Sequence, residues 1–335
     1  MSRKRLVTLG QVAASLAVLT LLVRDADTDR VVAALTGASL PWLLAAVVFK
    51  CLSLTIHELR LWIALLPWRR APFWPVMAIG YTSGLVNAIL PARGGDLVAV
   101  GLLKAELDIP TPQALAAVGI TAFMEALAFF VFLLGVLALG ATQWEVLLGA
   151  AKAATAMSWV TGVTVGAVFG ATMLVLVGRR LRPKEEAEPR GPGPIALIRQ
   201  TIVDTGDGLS ARGPLAAQVV TSAIQVGVLM SSFLAIFPAL GLDPPLPVLA
   251  ASGVIVFASL AAIVLPPSMG AGQAATAVFV LGAFGIDEAD AIAFAALSWV
   301  ANSSPPALLG FVPLWRRLGR LPEILAATRS QPGSR

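Results

Sequence analysis

Ser83-Gly-Leu-Val-Asn-Ala-Ile-Leu-Pro-Ala-Arg-Gly-Gly-Asp96 places a proline, two glycines, an arginine and an aspartate where an apolar run would otherwise continue. Proline removes a backbone donor and paired glycines disfavour helix, so residues 91–95 read as a break in the chain. The flanking segments, 73–90 and 97–103, are both apolar. The break therefore falls at or near membrane depth, where irregular backbone is tolerated only inside protein or beside a water-filled cavity. An ionisable pair at such a break, Arg93 and Asp96, marks a candidate site.

Composition sets the solvent. Of 335 residues, 57% are hydrophobic and 13% charged, with a mean hydropathy of +0.84. A chain this size lacks the polar surface that water demands, which predicts an all-α polytopic membrane protein. The single cysteine, Cys51, allows no internal disulfide, and with His57 as the only histidine neither a zinc site nor a Ser-His-Asp constellation can be assembled. No metal or cofactor is expected. The net charge of +5 and pI near 10.0 come from basic residues beside apolar spans, which assigns them to lipid headgroups and membrane orientation rather than to nucleic acid.

Arg3, Lys4 and Arg5 followed by apolar residues 6–23 have the outline of a signal peptide. No small-residue cleavage site precedes Arg24-Asp-Ala-Asp27, so a retained first helix is expected. Further spans are expected at 41–66, 112–139, 155–177, 214–240, 248–265 and 288–313. The broken segment occupies 73–103, and a second break at Pro266-Pro-Ser-Met-Gly-Ala-Gly272 is followed by an apolar piece to residue 284. Residues 178–213 form a polar cytoplasmic linker, within which Ile195, Ile198, Ile202 and Leu209 allow either a short surface helix or a solvated connection.

The second break repeats the first. With Asp96 set over Gln273, Ile109 and Ile286 each follow thirteen residues later, and Glu125 and Asn302 a further sixteen on, without a gap. Within one membrane domain, 1–335, this gives a first repeat at 41–140 and a second at 214–313. Broken helices at corresponding positions of two halves point to a transporter binding site. Basic clusters at Arg3–Arg5, Arg69–Arg70, Arg179–Lys184 and Arg316–Arg320 mark the cytoplasmic side, with both termini there. By that parity the two broken segments are inverted relative to each other, whether re-entrant or fully crossing.

Leu90-Pro-Ala-Arg-Gly-Gly-Asp96, with the helix that follows to Lys104, resembles the first signature of the lysylphosphatidylglycerol synthase transmembrane-region family, flippase-like integral membrane proteins. Pro266 to Gln273 resembles its second signature, and Pro306 to Gly310 its closing one. The resemblance implies a prokaryotic inner-membrane protein of about eight membrane segments that moves a phospholipid or polyprenyl-linked lipid between leaflets. Asp96 stands for the usual Glu, Gln273 for a second acidic residue, and the Arg often found on the last helix is absent around Ser298 to Ala301. The soluble aminoacyl-transfer domain of the full synthases has no counterpart, so lipid lysylation by this chain is not expected, nor any other enzyme activity. The alternative is a non-transporting membrane partner that presents a lipid-linked precursor to a separate lipid-modifying enzyme.

Arg93 and Asp96 have two readings: an ion pair that only fixes the hairpin, or a phosphate site in which the helix beginning near Gly94 and Gly95 presents amides and its positive dipole end. The helix after Gly270 and Gly272 offers the same from the opposite side. Asn87 and Ser83 share one face on the approach to Pro91. Lys50, His57 and Glu58 lie on one helical face, with Arg60 nearer the cytoplasmic end; snorkelling is the favoured reading for the last three. Lys50 is too central for that, and is expected to pair with Asp96 or Glu125. The candidate substrate-binding set is thus Arg93, Gly94, Gly95, Asp96, Asn87, Lys50, Glu125, Gly270, Gly272, Gln273 and Asn302. Gln218, Ser222 and Gln225 form a stripe expected to bond helix to helix. An intramembrane aspartyl protease is set aside, because Arg93-Gly-Gly-Asp96 has no partner Asp on a second span to share a proton.

Overall fold

Long runs of Leu, Val, Ala and Phe can satisfy their backbone in a bilayer only as helices, and the computed structural model is all-helical over the residues it describes: 27–89, 94–139, 150–181, 193–264 and 270–329, with positions 20 and 24. In chain order these are α1 (Thr28–Thr36), α2 (Leu40–Leu65), α3 (Phe73–Ile89), α4 (Gly94–Leu107), α5 (Thr111–Leu139), α6 (Ala150–Leu181), α7 (Pro194–Ser210), α8 (Arg212–Leu234), α9 (Ile236–Ala239), α10 (Pro247–Val264), α11 (Ala271–Gly282) and α12 (Glu288–Arg329). Five stretches are long and apolar enough to cross a membrane: Leu40–Leu65, Thr111–Ala138, Val160–Leu181, Arg212–Ala239 and Glu288–Arg317. The expected helix at 6–23 and both proline turns, 90–93 and 265–269, lie outside the described residues.

Helices α3 and α4, of 17 and 14 residues, rise only about 25 and 21 Å, short of the roughly 30 Å hydrocarbon layer. They pack on each other, as do α10 and α11. The ends of these pairs are fixed by polar contacts. At the Leu65 end of α2, Arg69 donates to the carbonyls of Leu107 (3.0 Å) and Asp108 (3.2 Å). At the other end the Ser39 amide bonds the Ala239 carbonyl at 2.7 Å, and Arg30 pairs with Asp287 at 2.7 Å. The α3–α4 pair therefore begins and ends at one end of α2, and the α10–α11 pair at the other.

A single offset relates the two sets. Gly94 and Ala271, which open α4 and α11, stand 177 residues apart, as do Thr111 and Glu288, which open α5 and α12. The residues that turn the chain between them, Asp108 (φ 51°) and Gly285 (φ 78°), are left-handed and keep the same offset. Each set also has its own packing. Val76, Ile79, Ala99, Leu103, Ile109 and Ala117 pack with Leu61 and Leu65, whereas Ala250, Val254, Ala277, Leu281, Phe294 and Ala301 pack with Ala46, Phe233 and Phe237. Helix α2 thus runs through both. The abundance of buried alanine is what close helix approach needs in lipid, where apolar burial alone supplies no driving force. Large side chains such as Trp74, Val131, Phe169 and Phe311 are instead exposed on the outside, as a lipid-facing surface requires.

Of the two readings of 178–213, a short helix and a solvated connection, the described residues have the helix, α7, which packs against α5 and α6. Ile195 and Ile198 are exposed while Val203, Asp204 and Leu209 are buried, because the glycines at 206 and 208 let that side approach its neighbours closely.

Helix α12 crosses α3 where Gly310 meets the Tyr81 carbonyl and Leu85, which gives a structural reason for glycine in the Pro306–Gly310 signature. Seven residues on, Arg317 clamps both α3 and α4. Its Nε and Nη2 donate to the Glu106 carboxylate (2.6 and 2.9 Å), and Nη1 donates to Thr82 Oγ1 (2.6 Å). Gly310→Val should force the helices apart and cost about 2 kcal/mol. The expected outcome is a lower thermal midpoint in detergent, measured by size-exclusion recovery after heating.

Candidate functional site

Where α2 meets α5 and α8, the sequence places an arginine on α2, a glutamate on α5 and two glutamines on α8, and the fold turns all four inward. Arg60 is fully buried, at 0% exposure. Its Nε donates to Gln218 Oε1 (3.3 Å), Nη1 to Gln225 Oε1 (2.5 Å) and Nη2 to the Thr121 carbonyl (2.6 Å). Gln218 returns a bond from Nε2 to the Arg60 carbonyl at 2.6 Å. Gln225 passes the chain on to Glu125 Oε1 at 3.1 Å, and Glu125 Oε2 lies 3.2 Å from His57 Nδ1. A buried guanidinium needs its donors matched, and here two amide oxygens and one carbonyl match them while the nearest negative charge is reached through Gln225.

Glu58, 3% exposed, faces away from that chain. Its carboxyl lies against Gly80 and Gly84 of α3, and a Cβ on Gly80 would overlap it. It lines a small cleft with His57, Ser83, Asp96 and Thr121. The cleft measures about 20 Å³ for a water-sized sphere, room for about one water and not for a lipid headgroup. Snorkelling is therefore overturned for Glu58 and Arg60. Both sit inside the bundle, held there by partners on α8 and a notch on α3 that the α2 sequence alone does not reveal.

The first turn of α4 is capped from outside. Asn87 Oδ1 accepts from the Gly95 amide at 2.7 Å and Asn87 Nδ2 donates to Asp96 Oδ1 at 2.8 Å. The acidic side chain on that turn complements the positive helix end, so the Gly95 amide, expected to face a phosphate, is already taken by Asn87. Gly94 opens the same turn, and Arg93 lies outside the described residues. On α11, Gln273 Nε2 donates to Ser298 Oγ at 2.8 Å and Asn302 Nδ2 to the Ser298 carbonyl at 2.7 Å. Gly270 (φ 65°) caps the start of that helix with no side-chain bond, and Gly272 is buried on its first turn.

The candidates therefore gather as Asn87, Gly94, Gly95 and Asp96 around one helix start, and Gly270, Gly272, Gln273 and Asn302 around the other. Thr121 of α5, which lines the cleft with Asp96, bears the same 177-residue offset to Ser298 as Asp96 does to Gln273. Glu125 belongs to the Arg60 chain. Lys50 is half-buried on α2 and makes no ion pair among the described residues; Glu125 is engaged by His57 instead. No group of three or more His, Cys, Asp or Glu among the described residues is placed to hold a metal.

Sequence reasoning missed Arg60 as a central donor, and the signal for it was the seven-residue spacing of Gln218 and Gln225, which puts two amides on one face opposite it. It also missed Arg317, hidden within a basic cluster assigned to orientation. The expected helix-to-helix bonding of Gln218 and Gln225 is what the structure has. Arg60→Ala leaves the Gln218 and Gln225 Oε1 atoms buried without their donor and should cost about 1–3 kcal/mol. Arg60→Lys should recover only part, since one ammonium cannot reach three acceptors at fixed angles; differential scanning fluorimetry in detergent measures both.

The comparisons with known proteins agree with the fold. A family model described as "Lysylphosphatidylglycerol synthase TM region" matches residues 8–310. No curated protein matches the chain.

Proposed function

Since the chain belongs to the lysylphosphatidylglycerol synthase transmembrane-region family, we propose that it moves a phospholipid or lipid-linked headgroup between leaflets of a prokaryotic inner membrane by alternating access. The observation that carries this reading is the matched pair of interrupted helices. The α3–α4 and α10–α11 pairs enter the bundle from opposite ends of α2, and each is followed by a long helix at the same 177-residue offset. Inverted broken repeats of this kind place a substrate between them near the midplane.

In this reading the headgroup passes the polar surfaces at the starts of α4 and α11 while the acyl chains stay against the apolar exterior. Ionisable groups kept at membrane depth mark such a path, because their burial is costly without a role. The narrow cleft beside Asp96, formed within the first repeat by α2, α3, α4 and α5, corresponds to a closed state, and movement of α2 against α3 opens it to water as the two repeats rock. No covalent chemistry is assigned to these residues.

Reconstitution into vesicles with fluorescent phospholipids tests the proposal. The purified protein should accelerate quencher-accessible exchange. Arg93→Ala and Asp96→Ala should each slow it by about tenfold, the equivalent of one charge-assisted hydrogen bond near 1.4 kcal/mol. No exchange above protein-free vesicles, together with stable co-purification of a lipid-modifying enzyme, would replace transport with the presenting-partner role.

A further inference from the structure

We propose that Glu58 is a proton-binding site, loaded when the cleft between α2, α3, α4 and α5 is closed and emptied to water when it opens. Lipid headgroup movement is thereby coupled to a proton. The coupling rests on the transport reading above; the proton site does not.

Glu58 is a carboxyl enclosed by the bundle, 3% exposed, and no hydrogen bond or ion pair to it is found among the described residues. Its oxygens abut the glycine surface of α3, with no polar group there to replace water. With no protein partner and room for about one water beside it, an ionised carboxylate is poorly compensated there, and the neutral acid costs far less.

The cations nearest to it are bound to other partners. On its own helix, His57 is engaged with Glu125, Arg60 is committed to Gln218, Gln225 and the Thr121 carbonyl, and Lys50 lies eight residues back, about 12 Å along the axis. On α3 the Tyr81 hydroxyl donates to Thr55. On α4 the Asp96 carboxyl accepts from Asn87 and shares the cleft, so no cation of that helix faces Glu58 among the described residues. On α5, Glu125 is a further carboxyl, engaged by His57. Arg317 of α12 is bound to Glu106 and Thr82. The α8 partners are neutral amides.

The cleft itself supplies the route. At about 20 Å³ it fits a water molecule but not a hydrated metal ion or a headgroup, and that water is the group to which Glu58 can pass its proton. Opening the cleft hydrates Glu58 and stabilises the carboxylate, which gives its proton to water. Closing it again requires the O–H bond to re-form. Protonation is therefore a bias between two packings of α2 against α3, the kind of local charge change that drives a larger switch.

Two measurements decide the matter. Protein in nanodiscs, titrated from acid to alkaline pH, is followed by infrared difference spectroscopy. A protonated-carboxyl C=O band that titrates in the wild type and is missing in Glu58→Gln is expected; an unchanged band in Glu58→Gln overturns the assignment. Proteoliposomes carrying an imposed pH gradient are then followed for lipid asymmetry. The wild type should accumulate labelled lipid in one leaflet, whereas Glu58→Gln should only equilibrate it. Glu58→Asp, which keeps a carboxyl, should restore accumulation, and its titrating C=O band should shift in frequency rather than vanish, so that an unshifted band in Glu58→Asp overturns the assignment where Glu58→Gln does not fold. Equal exchange in all proteins with no effect of the gradient overturns coupling while leaving transport intact. Absence of exchange in all of them, with the titrating band present, removes transport and leaves the proton site.

Discussion

One guanidinium ties this bundle together. Arg60 sits fully buried between α2, α5 and α8, and a charge in that position persists only if each side of its planar fork meets an acceptor. Gln218, Gln225 and the Thr121 carbonyl supply them, which fixes the rotation of all three helices about their axes. Once α2 is locked in rotation, its next polar residues have no choice of direction. His57 meets Glu125, and Glu58 is pressed into the glycine notch of α3. The polar interior follows from that one crossing.

The same helix explains how two similar sets of helices share one bundle. Its first half packs through Ala46 with α8 and the α10–α12 set, and its second half through Leu61 and Leu65 with the α3–α5 set. Alanine-rich contacts keep both interfaces close without the driving force that water would provide. Polar clamps at the bundle ends, Arg30 with Asp287 and Arg317 with Glu106, then hold the pairs at opposite ends of α2. Two separately packed halves joined through α2 are suited to relative motion, because each half can move as a body.

Much of the fold was legible from residue order alone. Composition gave the membrane class, Pro91 and Pro266 marked the interruptions, and the ungapped alignment of Ile109 with Ile286 coincides with helix starts at Thr111 and Glu288. The less legible part was rotation. Hydrophobic periodicity is weak in helices that are apolar on every side, so nothing in α2 itself says which face meets α8, and Arg60 five residues before the helix end looks like any interfacial arginine. Asn87 illustrates the same limit. Its place on the approach to the break was readable, but its role as a cap on α4 depends on how tightly α3 and α4 close on each other.

The central claim is that the seam lined by Ser83, Asp96 and Glu58 opens to water during a cycle although it is nearly closed in the structure, where Ser83 is 7% exposed. The most direct measurement is thiol labelling of Ser83→Cys, in a chain whose single native cysteine is replaced by serine, using a membrane-impermeant maleimide applied separately to each face of sealed vesicles. The account predicts labelling from both faces, with a rate that changes when lipid substrate is present. Labelling from neither face until the protein is denatured would mean that the seam is a static core, and would contradict it.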